Sequence, residues 1–330
     1  MKCVVCKSQD CKLIMKNHNG YVKGTFYDIF KCNECDTHFI DITKLNKKVY
    51  EDIYSSESTP SYDRYYQYAK QIKLEKNPIE FLCDKEYTYY PAKEYLKGKK
   101  RLDILEVGCG YGYLSYAMSK LGHNVTGIDI SKNAIKFAKS NFGGNYIADS
   151  LENFNSKNNQ KFDLIVATEV IEHLTNPTEF MSIGLKLLKN EGKIILTTPN
   201  KDYYNREVIW QQEYPPVHTV FLGKSSMKKI AQITNSKLEL FDMTPYFKKY
   251  YNNLVTLALM RKANYMTHYN LDENLKPDEN FAKGKSSWKR KIFTKILKDF
   301  APIRIISNQI HYSITKENSA MCAIYSKNDK

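Results

Sequence analysis

The sequence predicts an α/β fold: an open, mostly parallel sheet with helices on both faces, preceded by a small cysteine-bearing module. Three observations predict it. From residue 101 onward, five short apolar runs recur: RLDILEV (101–107), NVTGIDI (124–130), GNYIADS (144–150), FDLIVAT (162–168) and GKIILTTP (192–199). Helical patterns separate most of them, and such alternation implies parallel strands covered on both faces. A glycine loop, Gly108-x-Gly110-x-Gly112, follows the first run. In such sheets the ligand lies at the C-terminal ends of the strands. Two C-x-x-C pairs, Cys3/Cys6 and Cys32/Cys35, stand ahead of all this.

The chain has 330 residues, enough for one large domain and a small one. A hydrophobic fraction of 42% and a mean hydropathy of −0.55 fit a soluble globular protein. No apolar run reaches the length of a bilayer span, and the start MKCVVCKSQD lacks the apolar core of a signal peptide. A cytoplasmic protein is expected. The net charge of +14 suits nucleic acid, an anionic membrane surface or a phosphorylated substrate. Abundant Lys, Asn, Ile and Tyr, all with AT-rich codons, account for it equally well through genome composition.

The first module spans 1–45. Each C-x-x-C hairpin offers two thiolates, and two hairpins complete a tetrahedral zinc site at Cys3, Cys6, Cys32 and Cys35, with a strand pair between them as in a zinc ribbon. Cys11, His18 and His38 are nearby substitutes as ligands. A disulfide suits a reducing compartment poorly, and no thioredoxin-like context supports a redox pair. The alternative is four packed cysteines without metal. Cys83, Cys109 and Cys322 are scattered and read as core residues.

Residues 46–100 form a tyrosine-rich helical bridge or lid. Ten tyrosines fall between residues 50 and 95, and their rings can stack on sugars or bases or simply pack. Tyr62, Tyr65 and Tyr66 are the candidates for ligand contact.

From 101 to 330 runs the main domain. A dinucleotide fingerprint would need a third glycine at Tyr113, which weakens a hydride-transfer reading. Glu106 precedes the loop, and Asp129 ends the second strand, where a carboxylate can accept hydrogen bonds from ribose hydroxyls. In order, LDILEVGCGYGYLS, VTGIDIS, FDLIVATEVIEHL and LLKNEGKIILTTPN resemble the successive motifs of class I S-adenosylmethionine-dependent methyltransferases over about residues 101–200. The resemblance implies a Rossmann-like sheet of seven strands. It implies that Gly108, Gly110 and Gly112 line the methionine part of S-adenosylmethionine, that Glu106 belongs to the cofactor site, and that Asp129 holds the ribose with Ile130 beside it. Asp149 and Ser150 would meet the adenine, and Thr168 would flank the sulfonium. It also implies that KLELFDM (237–243) and SAMCAIYS (319–326) are the sixth and seventh strands, the last antiparallel. Residues 244–318 then become a helical insertion before the last strand, a lid or an association surface.

EVIEHL, residues 169–174, read as a helix, places Glu169, Glu172 and His173 on one face. It is similar to the metal motif of small-RNA 3′-terminal 2′-O-methyltransferases and to that of ubiquinone-pathway O-methyltransferases. His218, in YPPVHTVF, then stands as a fourth ligand for Mg²⁺ or Mn²⁺. A second reading makes His173 or His218 a general base for hydroxyl deprotonation. A third has the cluster bracing its loop.

Residues 283–300 carry seven Lys/Arg and one Asp around an apolar stripe. This is either a helix packed on its own domain or a peripheral contact, through 286–300, with the inner membrane surface. The whole layout is similar to bacterial methyltransferases of surface-polysaccharide and deoxysugar pathways. That implies O-methylation of a sugar, nucleotide-sugar or glycan hydroxyl, a small-molecule or glycan acceptor. RNA methylation is the alternative, since some rRNA methyltransferases also begin with a four-cysteine zinc module. A non-catalytic cofactor-binding protein is the third, opposed by the intact glycines, Asp129 and Asp149.

Overall fold

A computed structural model describes residues 1–45, 63–203, 214–250, 271–276 and 318–328. Eleven strands are found among them. Three belong to the ribbon: β1 Cys11–Asn19, β2 Phe26–Cys32 and β3 His38–Ile40. Five follow in the main domain: β4 Asp103–Val107, β5 Asn124–Asp129, β6 Asn145–Ala148, β7 Phe162–Thr168 and β8 Leu188–Pro199. The last three are β9 Val220–Phe221, β10 Ser236–Phe241 and β11 Ala320–Lys327.

The large sheet has the order β10-β11-β8-β7-β4-β5-β6. β4 to β8 are parallel, while β11 runs antiparallel to both β8 and β10. This is the expected seven-stranded α/β sheet. Its central strands read as continuous apolar runs because both faces are covered: Ile104, Leu105, Leu164, Ile165, Val166, Ile195 and Leu196 are buried. The chain turns back between β4 and β7, and crevices form at such switch points.

Local signals set the flanking helices. Ser131 and Ser150 cap helices Lys132–Phe142 and Leu151–Lys157 by accepting the amides of Ala134 and Asn153. Asn77 caps Pro78–Lys85, with proline at its first turn. The bridge is helical where described, in Asp63–Gln71, Pro78–Lys85 and Tyr90–Leu96. Tyr62 and the basic run 283–300 lie outside the described residues, as does most of 244–318. Of that insertion a short helix, Thr244–Tyr250, residues 271–276 and Asn318 are described. Among the described residues no helix is long and apolar enough to cross a membrane.

The ribbon's two cysteine hairpins repeat one geometry. Lys7 N–H donates to Cys3 O and Asp36 N–H to Cys32 O, each at 3.0 Å. Cys3 N–H donates to Ser8 O and Cys32 N–H to Thr37 O, each at 2.9 Å. The residue after each second cysteine is left-handed, Lys7 at φ 62° and Asp36 at φ 56°. The ribbon does not stand apart. Cys3, Val4, Val5 and Phe39 share one buried cluster with Phe180, Met181 and Leu222 of the main domain, where each large apolar side chain contributes about 1.5–3 kcal/mol. Thr178 donates to Val5 O, and Thr37 to Ser226. The sequence reading did not anticipate β9, which pairs with β3 and completes a four-stranded sheet β1-β2-β3-β9.

Candidate active site

The glycine loop turns the chain from β4 into helix Tyr113–Lys120. Gly108, Gly110 and Gly112 all have positive φ, at 73°, 49° and 80°, which is costly for any residue with a Cβ. Their surroundings differ. A Cβ on Gly108 would reach Val170 at 2.5 Å, and one on Gly112 would reach Tyr146 and Ala138, whereas Gly110 has nothing within 4 Å. The backbone is therefore packed flush on both sides and open at the middle, where a ligand can lie against it. Asp129 at the end of β5 accepts Gly110 N–H and Ser131 N–H, each at 2.8 Å. Burial raises its carboxyl above the ordinary aspartate value, against those two bonds. Glu106 is buried, and burial pushes its carboxyl up to about 8, opposed by the Ser115 hydroxyl it accepts.

Asp149 follows β6 and pairs with Lys157 at 2.7 Å, which lowers its pKa. Ser150 caps the next helix. Ile130 is 65% exposed beside Asp129, a stranded apolar side chain of the kind a stacked base would cover. Thr168 ends β7. All of these line one cavity of about 680 Å³, within the range of small-molecule sites. The open face at Gly110, the Asp129 carboxylate and the uncovered Ile130 fit the expected nucleoside cofactor.

The far wall of the same cavity comes from several separate segments. EVIEHL is not an α-helix, which corrects the sequence expectation. β7 ends at Thr168, Glu169 turns left-handed at φ 54°, and Ile171–His173 is a single 3₁₀ turn. The chain reverses tightly there, and Val170 packs against Gly108. The Glu169 carboxylate thereby falls outside the converging group, its Oε2 accepting the Tyr87 hydroxyl at 3.1 Å, while the Glu169 backbone bonds to the His173 ring. Glu172, His173 and His218 do converge, with one ligand atom from each within 4.8 Å of the others. Glu172 accepts the Thr198 hydroxyl at 3.0 Å. His173 Nδ1 lies 2.6 Å from Val217 O. A carbonyl only accepts, so Nδ1 donates to Val217 O; the Glu169 backbone also bonds to the ring, and Nε2 lies 3.8 Å from Glu172 Oε1. Burial holds the His173 imidazole down to about 4, so it is neutral at pH 7. The His218 ring stands edge-on to it, with centroids 4.8 Å apart. A neutral imidazole with its distal N–H fixed on a carbonyl is the usual arrangement of a metal-binding histidine, so this donor set fits a divalent ion.

Sequence reasoning missed part of this wall. Glu86 accepts Arg64 Nε at 2.5 Å and the Tyr68 hydroxyl at 3.0 Å, and all three line the cavity with Tyr65, Tyr87 and Tyr89. Tyr66 packs against Tyr111 and Phe137. The polar Glu86 amid the aromatic run EYTYY was the available signal.

In the ribbon, Cys3, Cys6, Cys32 and Cys35 place all four sulfurs within 4.8 Å of one another. Cys3–Cys35 and Cys6–Cys32 are 3.6 and 3.4 Å apart. A zinc–sulfur distance of about 2.3 Å requires tetrahedral sulfurs about 3.8 Å apart, so the set fits zinc. The Cys35 thiol is drawn down to about 5, chiefly by the hydrogen bond from Cys3 and further by Thr37, while burial pushes Cys6 up to about 11. Cys11, His18 and His38 are not in this group. Cys11 donates to Ser8 O, His18 lies edge-on to Tyr214, and His38 sits on β3, where burial first and then Lys201 lower its imidazole to about 4.

The family model of a methyltransferase domain matches residues 79–238, just under half of the chain. The mitochondrial ubiquinone biosynthesis O-methyltransferase of Dictyostelium discoideum is 34% identical over 146 residues, covering 38% of this chain and 44% of that one. The chain thus spans less than half the length of that relative. The ubiquinone biosynthesis O-methyltransferase of Xanthomonas oryzae is 26% identical over 205 residues, 58% of this chain and 84% of that one. A solved S-adenosylmethionine-dependent methyltransferase from Archaeoglobus fulgidus aligns over 76% of this chain and 94% of its own, at 16% identity and a TM-score of 0.44. The strand order and the glycine loop are those expected, and over residues 79–238 the chain is similar to a methyltransferase domain.

Proposed function

We propose that the protein transfers the methyl group of S-adenosylmethionine to a hydroxyl of a sugar, nucleotide-sugar or glycan. The observation that carries the reading is the convergence of Glu172, His173 and His218 opposite the glycine loop in one cavity. Bound cofactor would supply an electrophilic methyl on a positively charged sulfur. The acceptor oxygen bonds to that carbon as the carbon–sulfur bond breaks, so the protein must align the two and take one proton. Gly108, Gly110 and Asp129 line the cavity and would hold the cofactor, with Gly112 turning the loop behind them against Tyr146 and Ala138. Tyr87, Glu86 and Glu169 face the acceptor, rings and carboxylates together being suited to paired hydroxyls. Glu172, His173 and His218 would hold a Mg²⁺ or Mn²⁺ ion, which when bound would supply a Lewis acid that lowers a hydroxyl's pKa. Cys3, Cys6, Cys32 and Cys35 hold a structural zinc.

A phenolic hydroxyl is the second reading, favoured by the names of the relatives from ubiquinone biosynthesis. RNA gains no support from these relatives. The test is labelled S-adenosylmethionine with nucleotide-sugars, glycans, catechols and RNA, each with and without EDTA. Label in a sugar, lost with EDTA and restored by Mg²⁺, is expected. Label in RNA alone overturns the acceptor class. EDTA-resistant turnover replaces the ion with a histidine base.

A further inference from the structure

We propose that the cysteine ribbon sets the position of His218, so that metal at the four cysteines is coupled to the acceptor half of the cavity and not to the cofactor half. The segment 214–221 contains only the two-residue strand β9, and a strand that short has little order of its own. Its order comes from two sides.

The ribbon is one side. Tyr21 N–H donates to Pro215 O at 2.6 Å, and Ile40 N–H to Thr219 O at 3.1 Å. β3 pairs with β9 through His38/Phe221 and Phe39/Val220. Tyr21, Ile29 and Ile40 are buried in one cluster with Tyr214, Val217 and Phe221. The EVIEHL turn is the other side. Thr219 donates its amide to Glu172 O and its hydroxyl to Leu174 O, each at 2.9 Å, and Val217 O accepts His173 Nδ1. Both neighbours of His218 are therefore fastened to the turn that carries Glu172 and His173, and Thr219 is fastened to the ribbon as well.

β3 begins three residues after Cys35, at the end of the second cysteine hairpin. The module shares its core with the main domain, and metal binding to four thiolates would add order at its two cysteine hairpins. The cofactor side is wired differently. The amides of Gly108 and Cys109 donate to Ile128 O, and those of Gly110 and Ser131 to Asp129. None of these hydrogen bonds involves the ribbon, although the ribbon's buried cluster also takes in Leu105, Val107 and Ile128 of this side.

The coupling rests on the proposed methyl transfer only for its activity readout; amide exchange without substrate tests it directly. Zinc is stripped with a thiol-reactive mercurial and a chelator, then restored. Exchange over 214–222 is expected to accelerate at least about tenfold, with 103–110 and 124–131 unchanged. S-adenosylhomocysteine affinity should hold and acceptor turnover should fall, both returning to native values with zinc. Gly20→Ala keeps the four cysteines. Its Cβ would meet Thr25 Oγ1 at 2.1 Å, the Tyr27 ring at 2.8 Å and Pro215 O at 3.1 Å, pushing the hairpin tip off Pro215. It should bind zinc as the parent does and show the same local acceleration. If stripping unfolds the chain, Gly20→Ala alone decides. Parental exchange over 214–222 in that variant, acceleration spread through the large sheet, or a purified chain without zinc overturns the proposal. A parent that binds no S-adenosylhomocysteine would overturn the methyl-transfer reading and leave the exchange result standing.

Discussion

The two halves of the cavity are built by different means. The cofactor half is a consecutive piece of chain, β4, its glycine loop and the following helix, joined by the end of the next strand. Its hydrogen bonds run between neighbouring strands, as when Gly108 and Cys109 both donate to Ile128 O. The acceptor half is assembled from distant segments: Tyr87 reaches Glu169 across 82 residues, and His173 reaches Val217 across 44. A half made of one supersecondary unit is carried by the sheet itself, while a half made of loops depends on whatever packs behind them. Substitutions should therefore separate the halves cleanly, and each prediction below tests that separation.

The largest effect is expected at the converging triad. His173→Ala or Glu172→Gln should lower kcat by about 10²–10⁴-fold, the usual range for losing proton management at the reacting group. S-adenosylhomocysteine affinity, measured by calorimetry, should stay within about twofold, because neither residue bonds to the glycine loop. A comparable loss of cofactor affinity would mean that the halves are not separate.

Next comes Glu106, which lies under the cofactor half. Its folded-state pKa of about 8 is above the unfolded value near 4.5. The folded chain therefore holds a proton that the unfolded chain releases. The stabilisation is complete below about pH 4.5 and is lost as pH rises toward 8. Each pKa unit is worth about 1.4 kcal/mol, so the loss from about pH 4.5 to pH 8 should be of the order of 5 kcal/mol. Thermal unfolding of the cofactor-free chain between pH 5 and 8 checks it, as approximate limits for a shift of this size. Glu106→Gln keeps an uncharged acceptor for Ser115 and should flatten that part of the profile, without touching KM for the acceptor.

What the sequence revealed follows the same division. The strands, the glycine turn and Asp129 were legible because period, spacing and local turn chemistry decide them within a few residues. The cysteine pairs were legible because metal spacing is local too. EVIEHL was misread as a helix. Its apolar and polar spacing suits one, but in the fold Val170 packs against Gly108, about 60 residues earlier, and Glu169 stands at φ 54°, neither of which local spacing reports. β9 was invisible: two residues carry no periodicity, and their partner β3 lies about 180 positions earlier in the chain. The Arg64–Glu86–Tyr68 group is likewise a product of packing between two helical segments.

Asp129→Ala should cost about 10–100-fold in cofactor affinity, the scale of losing one or two hydrogen bonds to a charged acceptor. It also frees the Gly110 amide it now holds. The kcat at saturating cofactor should fall much less, the reverse of the triad's pattern. Calorimetry against S-adenosylhomocysteine, paired with saturation kinetics, separates the two. A Kd unchanged by this substitution would remove Asp129 from the cofactor half.

The smallest effect is expected at Tyr87, and it is the finest test of the division. Tyr87 stands on the bridge, and its hydroxyl donates to Glu169 Oε2 at 3.1 Å across the cavity. Its ring also packs on Phe247, with centroids 5.9 Å apart. Tyr87→Phe keeps the ring and removes only the hydroxyl. A single hydrogen bond of this kind is worth about 0.5–1.5 kcal/mol net, or roughly two- to tenfold in an equilibrium constant. The loss should appear in KM for the acceptor, since Glu169 would no longer be held toward the wall, while kcat and cofactor affinity stay near their parental values. Tyr87→Ala should add a loss of stability from the vacated ring, whereas Tyr87→Phe should not. A Tyr87→Phe chain with unchanged KM and reduced cofactor affinity would place the bridge on the cofactor side and redraw the boundary between the halves.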